Sequence, residues 1–154
     1  GWWGHEGQSR FRMEAEFRPA VGAAALALSN PPVFSTAPLL ASLQQFQRAG
    51  LPALRAKSLR LTAYLEYLLQ HRCGEQITQV TSTDPQARGA QLSVRVRGGR
   101  SRARAVFDAL QPQGLIADWR EPDIIRLAPA PLYNSFEDIW RAADILAATL
   151  QANG

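Results

Sequence analysis

One lysine, one cysteine, one methionine and two histidines are all that the 154-residue sequence holds of those residue types. A lone cysteine, Cys73, excludes an internal disulfide and suits a reducing, cytoplasmic compartment. With His5 and His71 it gives too few ligands for a zinc centre, so no metal is expected. No apolar run reaches the ~18 residues that cross a bilayer, and no membrane partner is expected. The opening GWWGHEGQSR has neither the basic nor the apolar region of a secretory signal. The glycine-rich phosphate loops GxGxxG and GxxxxGKS/T are missing, as is the nucleophile turn GxSxG. The single lysine, Lys57, lies in ALRAKSLRL between leucines at helical spacing. That places it on the solvent face of a helix, not in the desolvated pocket a reactive lysine needs.

What remains is ample for a packed domain: 46% of residues are hydrophobic, and the length suits one domain. The net charge is +4, carried mostly by arginine. The densest basic stretch is RVRGGRSRAR, residues 95–104. Strand alternation puts Arg95 and Arg97 on one face and Val94 and Val96 on the other. No aromatics are interleaved, so a solvated sheet face and turn is expected and nucleic acid is not the expected partner.

Residues 1–32 show no sustained period and end in SNPP, whose prolines disfavour a helix. They read as an irregular arm whose two tryptophans need something to dock on. A helix is expected from Pro38 to Gly50, with Leu39, Leu43 and Phe46 as its apolar stripe. A longer one runs from Pro52 to Gly74 on Leu54, Leu61, Leu65 and Leu68. The period then switches to two. Strands are expected at 77–81 and 90–97, a helix at 102–111, and strands at 115–119 and 124–128. Ser135 and Asp138 spell a capping box for a last helix carrying Ile139, Ala143, Leu146 and Leu150. The order arm-α-α-β-β-α-β-β-α is of the α+β class, with residues 33–154 forming the domain behind the arm.

The chemically odd stretch is DIIRLAPAPLYNSFED, residues 123–138, where Arg126 interrupts an apolar strand. One reading has the guanidinium snorkelling to water or meeting a structural carboxylate, Asp118 or Glu121. The other makes it a carboxylate fork, because its fixed N–H donors match a carboxylate bidentately. Pro129 and Pro131 would then stiffen the strand exit behind it.

The spelling goes further than the physics. In order along the chain, GWWGHE, RFRM, SNPPVF, LTAYLEYLL and IIRLAPAPLYNSFEDI resemble segments of kynureninases, which are pyridoxal-phosphate enzymes. The likeness runs over essentially the whole chain and is most specific in the first and last of these segments. It implies the C-terminal portion of such an enzyme, the small domain of an aspartate-aminotransferase-like fold. The large domain, with the Schiff-base lysine, is then expected before Gly1, in keeping with the missing initiator methionine, and no catalytic residue is expected within this chain. The implied reaction is hydrolysis of kynurenine or 3-hydroxykynurenine to the anthranilate and alanine, in tryptophan catabolism and NAD biosynthesis.

Carried over residue by residue, the resemblance implies that Arg126 binds the substrate α-carboxylate. Trp2 would lie at the cofactor phosphate, and Asn30 beside cofactor and substrate, with Ser29 as its weaker neighbour. Phe11 would line the aryl pocket. A homodimer is implied, with the arm reaching an active site across the interface. The competing readings are another enzyme of this fold type, such as a cysteine desulfurase relative, and a basic binding module using residues 95–104.

Overall fold

A computed structural model of the chain describes residues 2–12 and 14–154. Residues 1 and 13, which belong to the GWWG and RFRM segments, lie outside the described residues. The helices are α1 (Val33–Ala49), α2 (Leu51–Cys73), α3 (Gly99–Leu110) and α4 (Phe136–Ala152). The strands are β1 (Ile77–Gln79), β2 (Leu92–Val96), β3 (Asp118–Arg120) and β4 (Ile124–Leu127). The chain divides into two compact units, Gly1–Arg48 and Ala49–Gly154.

The second unit is built on a four-stranded sheet of order β1-β2-β4-β3, antiparallel throughout. Its two central strands, β2 and β4, alternate strictly. Leu92, Val94 and Val96 on β2 and Ile125 and Leu127 on β4 are buried. They join Leu61, Leu65 and Leu69 of α2, Val106 and Leu110 of α3, and Ala143, Leu146 and Leu150 of α4 in one core. Burying each such leucine contributes about 1.5–3 kcal/mol. The intervening residues, Ser93, Arg95 and Arg126, fall on the opposite face, half-buried or exposed. The unit is therefore a helix layer on one side of a sheet, the α+β class expected from the pattern.

Several boundaries depart from the expected ones for local reasons. Gly74, at φ +51°, ends α2 where a side chain would be strained. The third strand pairs only from Asp118, because Leu115 is still donating its N–H back to Leu110 as the chain leaves α3. The capping box is formed as spelled: Ser135 Oγ accepts from the Asp138 N–H, and Asp138 Oδ2 accepts from the Ser135 N–H at 2.7 Å. At the other end of α4, Arg102 donates to the carbonyls of Leu150 and Asn153 and also to Gln76 and to the Arg97 carbonyl. It satisfies acceptors that a helix C-terminus otherwise leaves open.

The connection between β1 and β2 is tied to α2 by a nearly buried ion pair. Arg88 Nη2 meets Glu66 at 2.8 Å, and Gln79 donates to the same carboxylate. The Arg88 hydrogen bond holds the Glu66 carboxyl below its ordinary range, against the opposing effect of burial. Cys73, buried at the end of α2, has its thiol pushed up to about 11 by burial, which makes it unreactive.

The first unit has little regular structure before α1. Short 3-10 turns at Trp2–Gly4 and Gly22–Leu26 pack on each other. Backbone bonds from Glu6 to Arg18 and from Ala20 to Gly4 close the segment between them. Gly4 is required by this packing, since a Cβ there would lie 2.3 Å from the Ala25 carbonyl oxygen. Helix α1 begins five residues before Pro38, because the Pro32 carbonyl accepts the N–H groups of Ser35 and Thr36 and starts a turn early. Its stripe of Leu39 and Leu43 is not buried as expected; both side chains are more than half exposed.

Two outcomes follow. Because the Glu66 carboxyl is depressed in the fold, the unfolded chain binds more protons in acid, so its contribution exists above ~4.3 and disappears as pH falls through the lowered folded value. Urea unfolding should show Glu66→Gln destabilised by about 2 kcal/mol at pH 7, with the gap from wild type closing in that acid range. Gly4→Ala should loosen the arm alone, seen as faster amide exchange over residues 2–27 with the sheet unaffected.

Candidate functional site

Arg126 sits on β4, a central strand, with Ser93 of β2 opposite on one side and Asp118 of β3 on the other. The pattern that suggested a buried cation is resolved by alternation. Ile125 and Leu127 take the core, and Arg126 stands on the sheet's other face with 29% of its side chain exposed. Its Nε and Nη2 both donate to Asp118 Oδ2. Arg120 Nη2 approaches the same oxygen at 3.4 Å. Asp118 is thus the structural carboxylate foreseen for Arg126, while Glu121 pairs with Arg100 instead. Among the described residues, Nη1 of Arg126 has no hydrogen-bond partner.

The strand exit behind Arg126 is held by more than its prolines. The Ala130 N–H donates to Asn134 Oδ1 at 2.8 Å, and the Ala130 carbonyl accepts from the N–H groups of Tyr133 and Asn134. Lys57 is half-buried and donates Nζ to the Pro131 carbonyl at 2.8 Å. This corrects the expected solvent-face position: the lysine pins the loop. Pro129 itself is buried. The sequence reading missed Asn134 and Lys57. The asparagine stands just before the Ser135 cap, a position where Asn commonly bonds nearby backbone; the lysine contact spans 74 residues and leaves no local signal. A cleft of about 500 Å³ opens beside this loop, lined by Leu115, Ile116, Pro129, Tyr133, Arg141 and Ile145. Arg126 does not line it.

In the first unit, Trp2 is 53% exposed and meets Phe11 edge-to-face with ring centroids 5.8 Å apart. Asn30 Oδ1 accepts from Trp3 Nε1 at 2.5 Å, which fixes the amide and leaves Nδ2 as a donor. Arg10 lies over the Trp3 ring at 4.4 Å. Ser29 and Asn30 line a hollow of about 610 Å³ with Trp3, Arg10 and Leu28. The structure therefore brings Trp2 to Phe11 and sets Ser29 and Asn30 beside Trp3. The donors present, the Trp2 indole and the Asn30 and Ser29 side chains, fit a group rich in acceptor oxygens, such as a phosphorylated cofactor. None of them supplies an amine to bond one covalently.

A His5–Ser9–Glu6 chain looks at first like a nucleophile relay: His5 Nε2 lies 2.9 Å from Ser9 Oγ, which donates to Glu6 at 2.7 Å. Its polarity is wrong for catalysis. His5 Nδ1 accepts from the Arg18 N–H, so Nε2 carries the proton and donates to the serine. Ser9 is also 3% exposed. The chain is a structural tie.

The basic stretch is equally committed. Arg95 pairs with Asp123, Arg97 bonds Thr78, Arg100 forks onto Glu121, Arg102 binds carbonyls, and Arg104 pairs with Asp108. These contacts support the solvated-face reading over a nucleic-acid patch. Among the described residues, no helix is long and apolar enough to cross a membrane.

Comparison with known proteins supplies the context for Arg126. The family model for the kynureninase C-terminal domain matches residues 54–146. The kynureninase of Xanthomonas campestris pv. campestris (strain B100) is 57% identical over 144 residues, 94% of this chain and 34% of that protein. The kynureninase of Xanthomonas euvesicatoria pv. vesicatoria (strain 85-10) is 55% identical over 139 residues, covering 90% and 33%. That of Stenotrophomonas maltophilia (strain K279a) is 53% identical with the same coverage. The chain spans about a third of the length of these curated relatives. With the matched span running from α2 into α4 and taking in the whole sheet that carries Arg126, the chain belongs to the kynureninase family.

Proposed function

We propose that the chain is the carboxylate-binding portion of a pyridoxal-phosphate-dependent kynureninase, the small domain of an aspartate-aminotransferase-like enzyme. The intact enzyme hydrolyses L-kynurenine or its 3-hydroxy form to the corresponding anthranilate and L-alanine, as a cytoplasmic homodimer. The observation that carries this reading is Arg126. It is a partly shielded guanidinium on the sheet face opposite the core, with donor capacity left at Nη1 and a strand exit stapled by Asn134 and Lys57. Such a fork takes an α-carboxylate, and the stapled backbone limits how far it can stray.

The bound cofactor supplies the electron sink. The chain's own residues bind and orient. Arg126 fixes the carboxylate end of the amino acid. Trp2 offers an indole N–H to the cofactor phosphate. Asn30, its oxygen occupied by Trp3, presents N–H donors, which suit the substrate ketone oxygen better than its aryl amine. Ser29 stands beside it, and Phe11 offers a face to the aryl ring. Large apolar side chains left exposed in the first unit, Phe11, Leu26, Leu28 and Phe34 among them, support a surface covered in the intact assembly.

In the full-length enzyme, Arg126→Ala should raise KM and lower kcat/KM by about 1.5–3 kcal/mol in steady-state kinetics with kynurenine; unchanged kinetics would return Arg126 to the structural arginines. The 154-residue chain alone should show no turnover, since its one lysine is engaged with the Pro131 carbonyl and cannot serve as the Schiff-base amine. Anthranilate release by the pure chain, followed by fluorescence, would refute this.

A further inference from the structure

We propose that Asp118 is a positioning residue: it holds one edge of the Arg126 guanidinium so that the other edge is presented to the substrate carboxylate. The inference rests on the reading of Arg126 as the carboxylate fork and adds how that fork is aimed.

A guanidinium has two edges that can grip a carboxylate, one formed by Nε and Nη2 and one by the two terminal nitrogens. Asp118 Oδ2 accepts from both Nε and Nη2, so the first edge is committed. The second keeps Nη1, which has no partner among the described residues, and the remaining hydrogen of Nη2. An arginine left to itself samples many rotamers, and ordering it on binding costs affinity. Held by Asp118, it loses less.

Asp118 can do this because it is itself fixed. It lies directly across the β3–β4 ladder from Arg126. Its neighbour Trp119 anchors β3 from the other face, packed against Phe107 with ring centroids 5.5 Å apart and planes tilted by 47°, and Arg104 lies over both rings. Charge is the objection, because a carboxylate next to the fork repels an incoming carboxylate. Arg120 answers it. With its Nη2 3.4 Å from the same oxygen, the cluster of two arginines and one aspartate keeps a net positive charge. If Asp118 were only a competitor for the fork, its removal would tighten substrate binding, which is the opposite of what positioning requires.

The test is steady-state kinetics of the full-length enzyme with kynurenine, using the α-carboxamide of kynurenine as a competitive inhibitor. Wild type, Asp118→Ala, Asp118→Asn, Arg126→Ala and the double alanine variant are compared. Asp118→Ala should raise KM about tenfold with kcat nearly unchanged, and add nothing to Arg126→Ala. It should leave the inhibition constant of the carboxamide, which lacks the anion, where it was. Asp118→Asn retains an oxygen acceptor and should recover most of the loss. A KM that falls or stays put in Asp118→Ala, while Arg126→Ala raises it, overturns the positioning role and leaves the Arg126 reading intact. A parallel rise in the carboxamide constant, the mark of general damage, does the same. Unchanged KM in Arg126→Ala overturns both.

Discussion

Burial of a single face of the sheet is the constraint from which the rest follows. Leu92, Val94, Val96, Ile125 and Leu127 all point toward α2, α3 and α4, and each is nearly inaccessible to water. Every residue between them is thereby sent to the other side. The hydrophobic effect acts on the apolar positions, yet it also decides where Ser93, Arg95 and Arg126 stand. The face that carries Arg126 is the complement of the core and needs no contacts of its own to be sorted to that side.

Electrostatics then refines what burial has sorted. With one lysine and many arginines, the chain uses the guanidinium as its general-purpose connector. Arg102 closes a helix end, Arg88 locks a long loop to α2, Arg55 holds the Pro85 carbonyl of the same loop, and Arg100 forks onto Glu121. Arg100–Glu121 is exposed on both sides and adds little to stability, whereas Arg88–Glu66 is nearly buried. Their value is geometric, since a planar donor array fixes direction where a flexible ammonium does not. Unlike these four, Arg126 stands on a central strand of the sheet.

The sequence was most legible where a period persisted long enough to be unambiguous. The stripe Leu54, Leu61, Leu65, Leu68 lies buried along α2, and Ile139, Ala143, Leu146, Leu150 along α4. The Ser135–Asp138 box was readable because capping is local chemistry. Less was legible where long-range contacts compete with local pattern. Residues 115–117 have the spelling of a strand but leave α3 through a hydrogen bond to Leu110 before any partner is reached. In α1 the stripe is present in the sequence, but its burial is not, because amphipathic spacing states what a helix could cover and not whether anything covers it. For the site, Arg126 stood out from its surroundings alone. Its partner Asp118 could be guessed only as one of two carboxylates, and the reach of Lys57 to Pro131 had no signature at all.

The alternation on β4 has a consequence for how errors are tolerated. Arg126 is paired on both sides, to Ser93 and to Asp118, so β4 has no free edge along which to slide alone. A slip of one residue would drive the guanidinium into hydrocarbon and push Ile125 and Leu127 into water. Such a misfold forfeits the core together with the placement of Arg126. Misplaced fork and unstable protein are then the same molecule, and cellular quality control that removes the second removes the first. The accuracy with which Arg126 is placed is proofread by folding itself.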